Sequence, residues 1–309
     1  MDPPVTHRPL LLTVALAAAT SVALVGCSSG AGAPSGSPSS SGTIVVVAST
    51  NVYGSIASQV GGSRVDVTSI LSNPNQDPHG FEADAQTQLA ISKAQVIVEN
   101  GGGYDDYVDT MRASTSSKAA LVDAVKLSGF SATSGDFNEH VFYDYPTMVK
   151  VADAIAADLA LADPAQSSLF FGNAAAFKRS MQTLEAQTSA LAAKYAGDRV
   201  AYTEPVPGYL FDAIGLKNVT HTAFSHAVET GNDVPPSALH DTLALMSGKK
   251  VSLLAYNEQA SSPETSLVQA AAKQAGVPVL PVTETLPQGA DFQTWQQRTI
   301  DAIAKALGR

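Results

Sequence analysis

One segment constrains the fold of this chain more than any other: residues 163–197, DPAQSSLFFGNAAAFKRSMQTLEAQTSALAAKYAG. Phe170, Phe177, Met181, Leu184, Leu191 and Tyr195 follow one another at spacings of 7, 4, 3, 7 and 4, which is a single helix face. Asp163 is the expected N-cap, Pro164 the first helical position and Gly197 the stop. A helix of about 30 residues would be roughly 45 Å long. An ordinary amphipathic helix satisfies this pattern, and so does a spine joining two lobes.

On both sides of that segment the chain alternates between strand and helix patterns. Before it, TIVVVAST (43–50), VDVTSIL (65–71), QVIVEN (95–100) and ALVDAV (120–125) read as strands, with helices expected at 84–94, 103–114 and 146–162. After it, RVAYTE (199–204), KVSLLAYN (250–257) and VPVLPVT (277–283) read as strands, with helices at 207–215, 234–248, 263–276 and 291–307. The near-continuous apolar run of 43–50 is how a strand covered on both faces looks. Alternation of this kind predicts an α/β fold of two lobes with mainly parallel sheets, residues 43–162 and 198–309, joined by the long helix at 163–197. Ligands of such sheets bind beyond the carboxyl ends of the strands.

The first 42 residues carry no such pattern. An apolar run, LLLTVALAAATSVALVGC, reads as a secretory leader of residues 1–26. It ends in Leu24-Val25-Gly26-Cys27, which resembles a bacterial lipobox and makes Cys27 the expected lipidation site. Cys27 is the sole cysteine, so no intramolecular disulfide is possible. The tract SSGAGAPSGSPSSSG lacks large apolar side chains, and residues 27–42 are expected to be a flexible, lipid-anchored tether. The formal charge of −10 argues against nucleic acid as a partner.

Familiar enzyme signatures are absent: there is no HExxH, no GxSxG and no P-loop, and the Gly-rich 101–103 does not continue as GxGxxG. What the chain offers instead is metal-ligating side chains next to strand ends. His79 follows the second strand in NQDPHGFE, and His140 lies in NEHVFYD ahead of a helix. Glu204 ends RVAYTE, and Glu284 follows VPVLPVT. Two precede the long helix and two follow it, so facing lobes would bring all four to one cleft. Glu258 and Asp291 are alternatives to Glu284, with Glu258 just past a strand the more credible. His221 and His226 are rivals for the site, placed after a helix rather than beyond a strand. Asp77 and Glu82 read as groups that orient the His79 ring.

These segments resemble the metal-binding lipoproteins of bacterial ABC importers for zinc and manganese. DPHGFEAD is similar to that family's Asp-Pro-His-x-Tyr-Glu-Pro turn, which puts a metal ligand at His79. NEHVFYDYP resembles its Asp-Pro-His-x-Trp-x-Asp-Pro segment, with the second ligand at His140, although the first Asp-Pro, the Trp and the last Pro are missing. YTEPVPGYLFDAIGL and PVTETLPQGADFQTW resemble the third and fourth ligand segments, with Glu204 in a position held by His or Glu and Glu284 where Asp is usual. The resemblance runs from 43 to 309 and lacks the His-rich loop of many zinc-type members.

It implies an extracytoplasmic, lipid-anchored monomer rather than an enzyme. Such a protein carries one divalent transition metal, Zn or Mn, as cargo to a membrane permease driven by an ATPase. A receptor for siderophores or corrinoids of the same architecture and a secreted metal-dependent hydrolase are the alternatives. Two neutral imidazoles and two carboxylates around a divalent ion sum to zero charge, which favours burial. Glu204 in place of His moves the balance toward manganese. Binding through neutral imidazoles is expected to weaken below about pH 6.5.

Overall fold

The structure is a computed structural model and describes residues 42–76, 78–133 and 137–308. The leader, Cys27 and most of the tether lie outside the described residues, as does Asp77. Ser41–Arg309 forms one compact unit.

Its first part runs β1 (Ile44–Thr50), α1 (Asn51–Gly61), β2 (Val65–Leu71), α2 (Ala85–Lys93), β3 (Val96–Glu99), α3 (Tyr107–Thr115), β4 (Ala120–Asp123), α4 (Ala124–Ser128) and α5 (Tyr145–Ala162). The long helix, α6 (Ser167–Tyr195), follows. The second part is β5 (Arg199–Tyr202), α7 (Gly208–Ile214), β6 (Lys217–Asn218), α8 (Thr222–Glu229), α9 (Pro236–Ser247), β7 (Leu254–Asn257), α10 (Pro263–Ala275), β8 (Val279–Val282) and α11 (Phe292–Leu307). Each part holds a four-stranded parallel sheet, ordered β2-β1-β3-β4 and β6-β5-β7-β8. The two orders are the same: in each sheet the chain adds one strand on one side of the first and then crosses to the other, so a crevice opens between the middle strands at their carboxyl ends.

Local sequence explains most of the boundaries. Asp84, Asp123, Asp144 and Asp291 each cap a helix by accepting from the backbone N–H three residues on. Ser262 and Thr265 form a reciprocal capping pair at the start of α10. Asp163 behaves otherwise than expected. The chain makes a short 3-10 turn at Pro164–Gln166 before α6 begins, and the Asp163 carboxylate accepts from Arg64 at 2.9 Å instead.

Four elements escape the sequence patterns: α1, α4, β6 and α8. Helix α1 buries Val52, Tyr53, Ile56, Ala57 and Val60 completely, and it packs against both β2 and α6. Gly54 permits that approach, since a Cβ there would lie 2.0 Å from Ser69 Oγ. Helix α4 and strand β6 are too short to show a period, while α8 carries Phe224, Ala227 and Val228 at helical spacing. Strand β7 begins at Leu254, later than the apolar run suggests, and the chain turns before the run at Lys249, whose φ is 48°.

Helix α6 buries Phe170, Ala174, Phe177, Met181 and Leu184. It touches α1 and α5 from the first part and α7 and α11 from the second. One hydrophobic core therefore runs from Ile44 to Leu307 through this helix. Each buried Phe contributes about 1.5–3 kcal/mol relative to exposure. Direct hydrogen bonds also cross between the parts. Asn51 exchanges two with the backbone of Leu286, the Tyr145 hydroxyl donates to Gln296, and Ser55 accepts from the Phe292 N–H.

Candidate metal centre

The candidate ligands follow the carboxyl ends of strands in both sheets. Beyond β2, the buried Pro78 and a 3-10 turn set out His79. The segment after β4 and α4 ends at His140, which is fully buried. Glu204 lies two residues past β5 and Glu284 two past β8, both buried.

His79, His140 and Glu284 each offer a ligand atom within 4.8 Å of the other two, the one such group among the described residues. Glu284 Oε2 is 3.3 Å from His140 Nε2 and 3.6 Å from His79 Nε2. Both His140 Nε2 and Glu284 Oε2 are buried without a hydrogen-bond partner, as is the Tyr104 hydroxyl. The Tyr104 ring stands edge-on to both imidazoles, with centroids at 5.4 and 6.0 Å. Orphaned buried atoms of this kind are costly unless a further group satisfies them.

Glu204 joins the group through an intermediary. The Asn257 amide, at the end of β7, donates to Glu204 Oε2 at 2.5 Å and to Glu284 Oε1 at 2.7 Å. The Gln259 N–H donates to Asn257 Oδ1, which fixes the amide with its NH2 toward the two carboxylates. Gln259 also accepts from the Glu284 N–H at 2.6 Å and donates to the Gln76 carbonyl at 2.8 Å, tying the His79 turn to the Glu284 turn.

Two further carboxylates approach the imidazoles. Glu139 Oε1 lies 3.5 Å from His79 Nδ1, and Glu229 Oε1 lies 4.0 Å from His140 Nδ1. Burial raises the affinity of both for protons above that of an ordinary carboxyl. Burial opposes the charged form of His140. The carboxylate of Glu284, 3.3 Å away, and the charges of Glu229 and Glu139 outweigh that, and its pKa is raised to about 9. Burial would push the Glu284 carboxyl up, but His140, His79 and Asn257 hold it below its usual range. Without a cation, a charged His140 and an ionised Glu284 thus neutralise each other.

The remaining candidates sit elsewhere. Glu258 is exposed, and Asp291 is exposed and caps α11. Glu82 is also exposed, and the carboxylate nearest His79 Nδ1 is that of Glu139. His221 caps α8 by accepting from the Ala223 N–H, and His226 rides on the same helix, both exposed. Sequence reasoning missed Glu139, Glu229, Asn257 and Tyr104. Asn257 is the last residue of β7, whose four residues are all buried, and Glu258 is the first residue beyond it. The charge balance also changes, since four carboxylates rather than two surround the imidazoles.

The family model described as ZnuA, zinc-uptake complex component A, periplasmic, matches residues 46–306. The manganese-binding lipoprotein MntA of Bacillus subtilis is 28% identical over 168 residues, 53% of this chain and 53% of that protein. The chain thus matches about half the length of this curated relative. The periplasmic zinc-binding protein TroA of Treponema pallidum shares the fold at a TM-score of 0.73 and 17% identity, over 87% of this chain and 100% of that one. The SBP FpvC of Pseudomonas aeruginosa, solved in complex with Mn2+, does so at 0.70 and 22%, over 86% and 98%. At these identities the two structures establish the two-sheet fold with its long helix.

Proposed function

The chain belongs to the zinc-uptake complex component A family, and on that premise we propose that it captures a divalent transition metal, Zn or Mn, and hands it to an ABC import permease driven by an ATPase. The family is one of metal-uptake components rather than enzymes. In this reading His79, His140, Glu204 and Glu284 hold the cation. Residues 43–162 and 198–309 act as lobes about the helix at 163–197. Lipid on Cys27 tethers the monomer outside the cytoplasmic membrane. No described helix is long and apolar enough to cross a membrane, and the MntA relative is a lipoprotein by name.

One observation carries the proposal: three donor atoms from distant parts of the chain lie within 4.8 Å of one another, and two of them, His140 Nε2 and Glu284 Oε2, are buried and form no hydrogen bond. A divalent cation satisfies both atoms and replaces the positive charge of His140. Two imidazoles and two carboxylates form a mixed N/O set that suits zinc or manganese. Asn257 holds the carboxylates side by side before the ion arrives, which limits the reorganisation that binding requires.

The test is calorimetric titration of metal-free protein with zinc and with manganese, accompanied by H140A and E284Q. One ion per chain is expected, with at least a hundredfold loss in each variant. Wild-type protein that takes up neither ion, or variants that bind as wild type does, would refute the reading.

A further inference from the structure

We propose that Asn138 and Glu139, the two residues directly before His140, are positioning residues that fix both imidazoles in the tautomer whose Nε2 faces the cation. The proposal rests on the metal-binding reading above and deepens it.

The Asn138 amide has only one workable orientation. Its Oδ1 accepts from the His140 backbone N–H at 3.1 Å, while its Nδ2 donates to the Pro205 carbonyl at 2.9 Å. A flipped amide would set NH2 against N–H and oxygen against oxygen. That same Oδ1 lies 2.7 Å from His140 Nδ1. Because the oxygen can only accept, Nδ1 carries the hydrogen, and in a neutral ring the lone pair belongs to Nε2. Nε2 is the atom left buried and unpartnered beside Glu284.

Glu139 stands in the same relation to His79. Its Oε1 is 3.5 Å from Nδ1, and the opposite ring nitrogen is 3.6 Å from Glu284 Oε2. A carboxylate facing Nδ1 favours the hydrogen there and directs the Nε2 lone pair inward. The separation exceeds the 2.7–3.2 Å range of a hydrogen bond, so this contact is expected to shorten when a cation draws His79 in.

Two adjacent residues thus aim two ligands that are far apart in sequence. They also fasten the arrangement to the second part of the fold. Pro205, which accepts from Asn138, directly follows Glu204, and the Tyr209 hydroxyl donates to the Asn138 carbonyl at 2.7 Å. Gly208 makes room for this, because a Cβ there would come within 2.6 Å of Asn138 Nδ2.

The experiment uses zinc, which is diamagnetic, with 15N-histidine-labelled protein. Long-range 1H–15N correlation reports the tautomer of each ligand, and competition titration gives the zinc Kd. In wild type, His79 and His140 should both show Nδ1–H with metal on Nε2. Asn138→Ala and Glu139→Ala should each weaken zinc binding by about 10–100-fold. Each should also disturb the 15N pattern of the histidine it faces and leave the other less affected. Glu139→Gln keeps an acceptor and should recover affinity to within about threefold of wild type. Gly208→Ala should displace Asn138 and perturb the His140 pattern, so the test survives if Asn138→Ala fails to fold. Ala variants that bind zinc within twofold of wild type would overturn the positioning role alone. So would weakened binding with unchanged 15N patterns, since that is the mark of a merely structural loop. A wild type that binds no zinc or manganese would instead remove the metal-binding reading itself.

Discussion

Replacing Asn257 with Leu removes the amide between Glu204 and Glu284 while keeping the branched shape of the side chain. Two hydrogen bonds to charged acceptors disappear, at 2.5 and 2.7 Å. Bonds of that type contribute about 1.5–3 kcal/mol each. The variant also leaves two buried carboxylates facing each other without their shared donor. The metal-free protein should lose at least about 3 kcal/mol, taking the lower figure twice. For a domain of this size about 1 kcal/mol moves Tm by 2–4 °C, so a drop of about 6–12 °C is expected. With zinc at saturation the cation takes over the neutralisation of both carboxylates, and the gap between variant and wild type should shrink. Differential scanning fluorimetry, with and without zinc, measures both gaps. A metal-free drop under about 2 °C, or an equal drop with and without zinc, would refute the role assigned to Asn257.

Protonation supplies a second prediction. His140 has a pKa raised to about 9, so metal must displace its proton at pH 7.5. Calorimetry in buffers of different ionisation enthalpy should then show about one proton released per ion, and none would contradict the assignment. Affinity should begin to fall below about pH 9, not only below about 6.5 as the unperturbed imidazole suggests. The linked stability has the opposite sense. The folded pKa lies above the unfolded one, so the contribution of His140 to metal-free stability is full below about pH 6.5 and is lost as pH rises through about 9. Urea melts of metal-free protein at pH 6 and 9.5 measure it. Glu258→Ala should leave zinc affinity within about twofold, because the side chain is exposed; a tenfold loss would return it to the ligand set. Gly54→Ala should destabilise the fold by about 1–3 kcal/mol, since its Cβ would collide with Ser69 Oγ at 2.0 Å. Chemical denaturation tests it, and an unchanged midpoint would show that α1 and β2 can separate freely.

The sequence by itself determined the elements whose physics is local. The face from Phe170 to Leu184 specifies α6 because apolar side chains at helical spacing have one common side to bury. The β-branched run at β1 specifies a strand covered on both faces. His79, His140, Glu204 and Glu284 were legible as candidates because each follows a strand or a turn where a parallel sheet exposes its ligands.

Only the tertiary structure decided which groups act on one another. The short α4 and β6 have no period to read and are held by what they pack against. Glu139 and Glu229 look like solvated acids in the sequence, yet folding carries them to within 3.5 and 4.0 Å of the two imidazoles. Asn257 and Glu258 are neighbours in sequence, yet Asn257 ends the buried strand β7 and Glu258, just beyond it, lies in water. Charge and proton affinity at the centre follow from such distances across the chain, which no local pattern records.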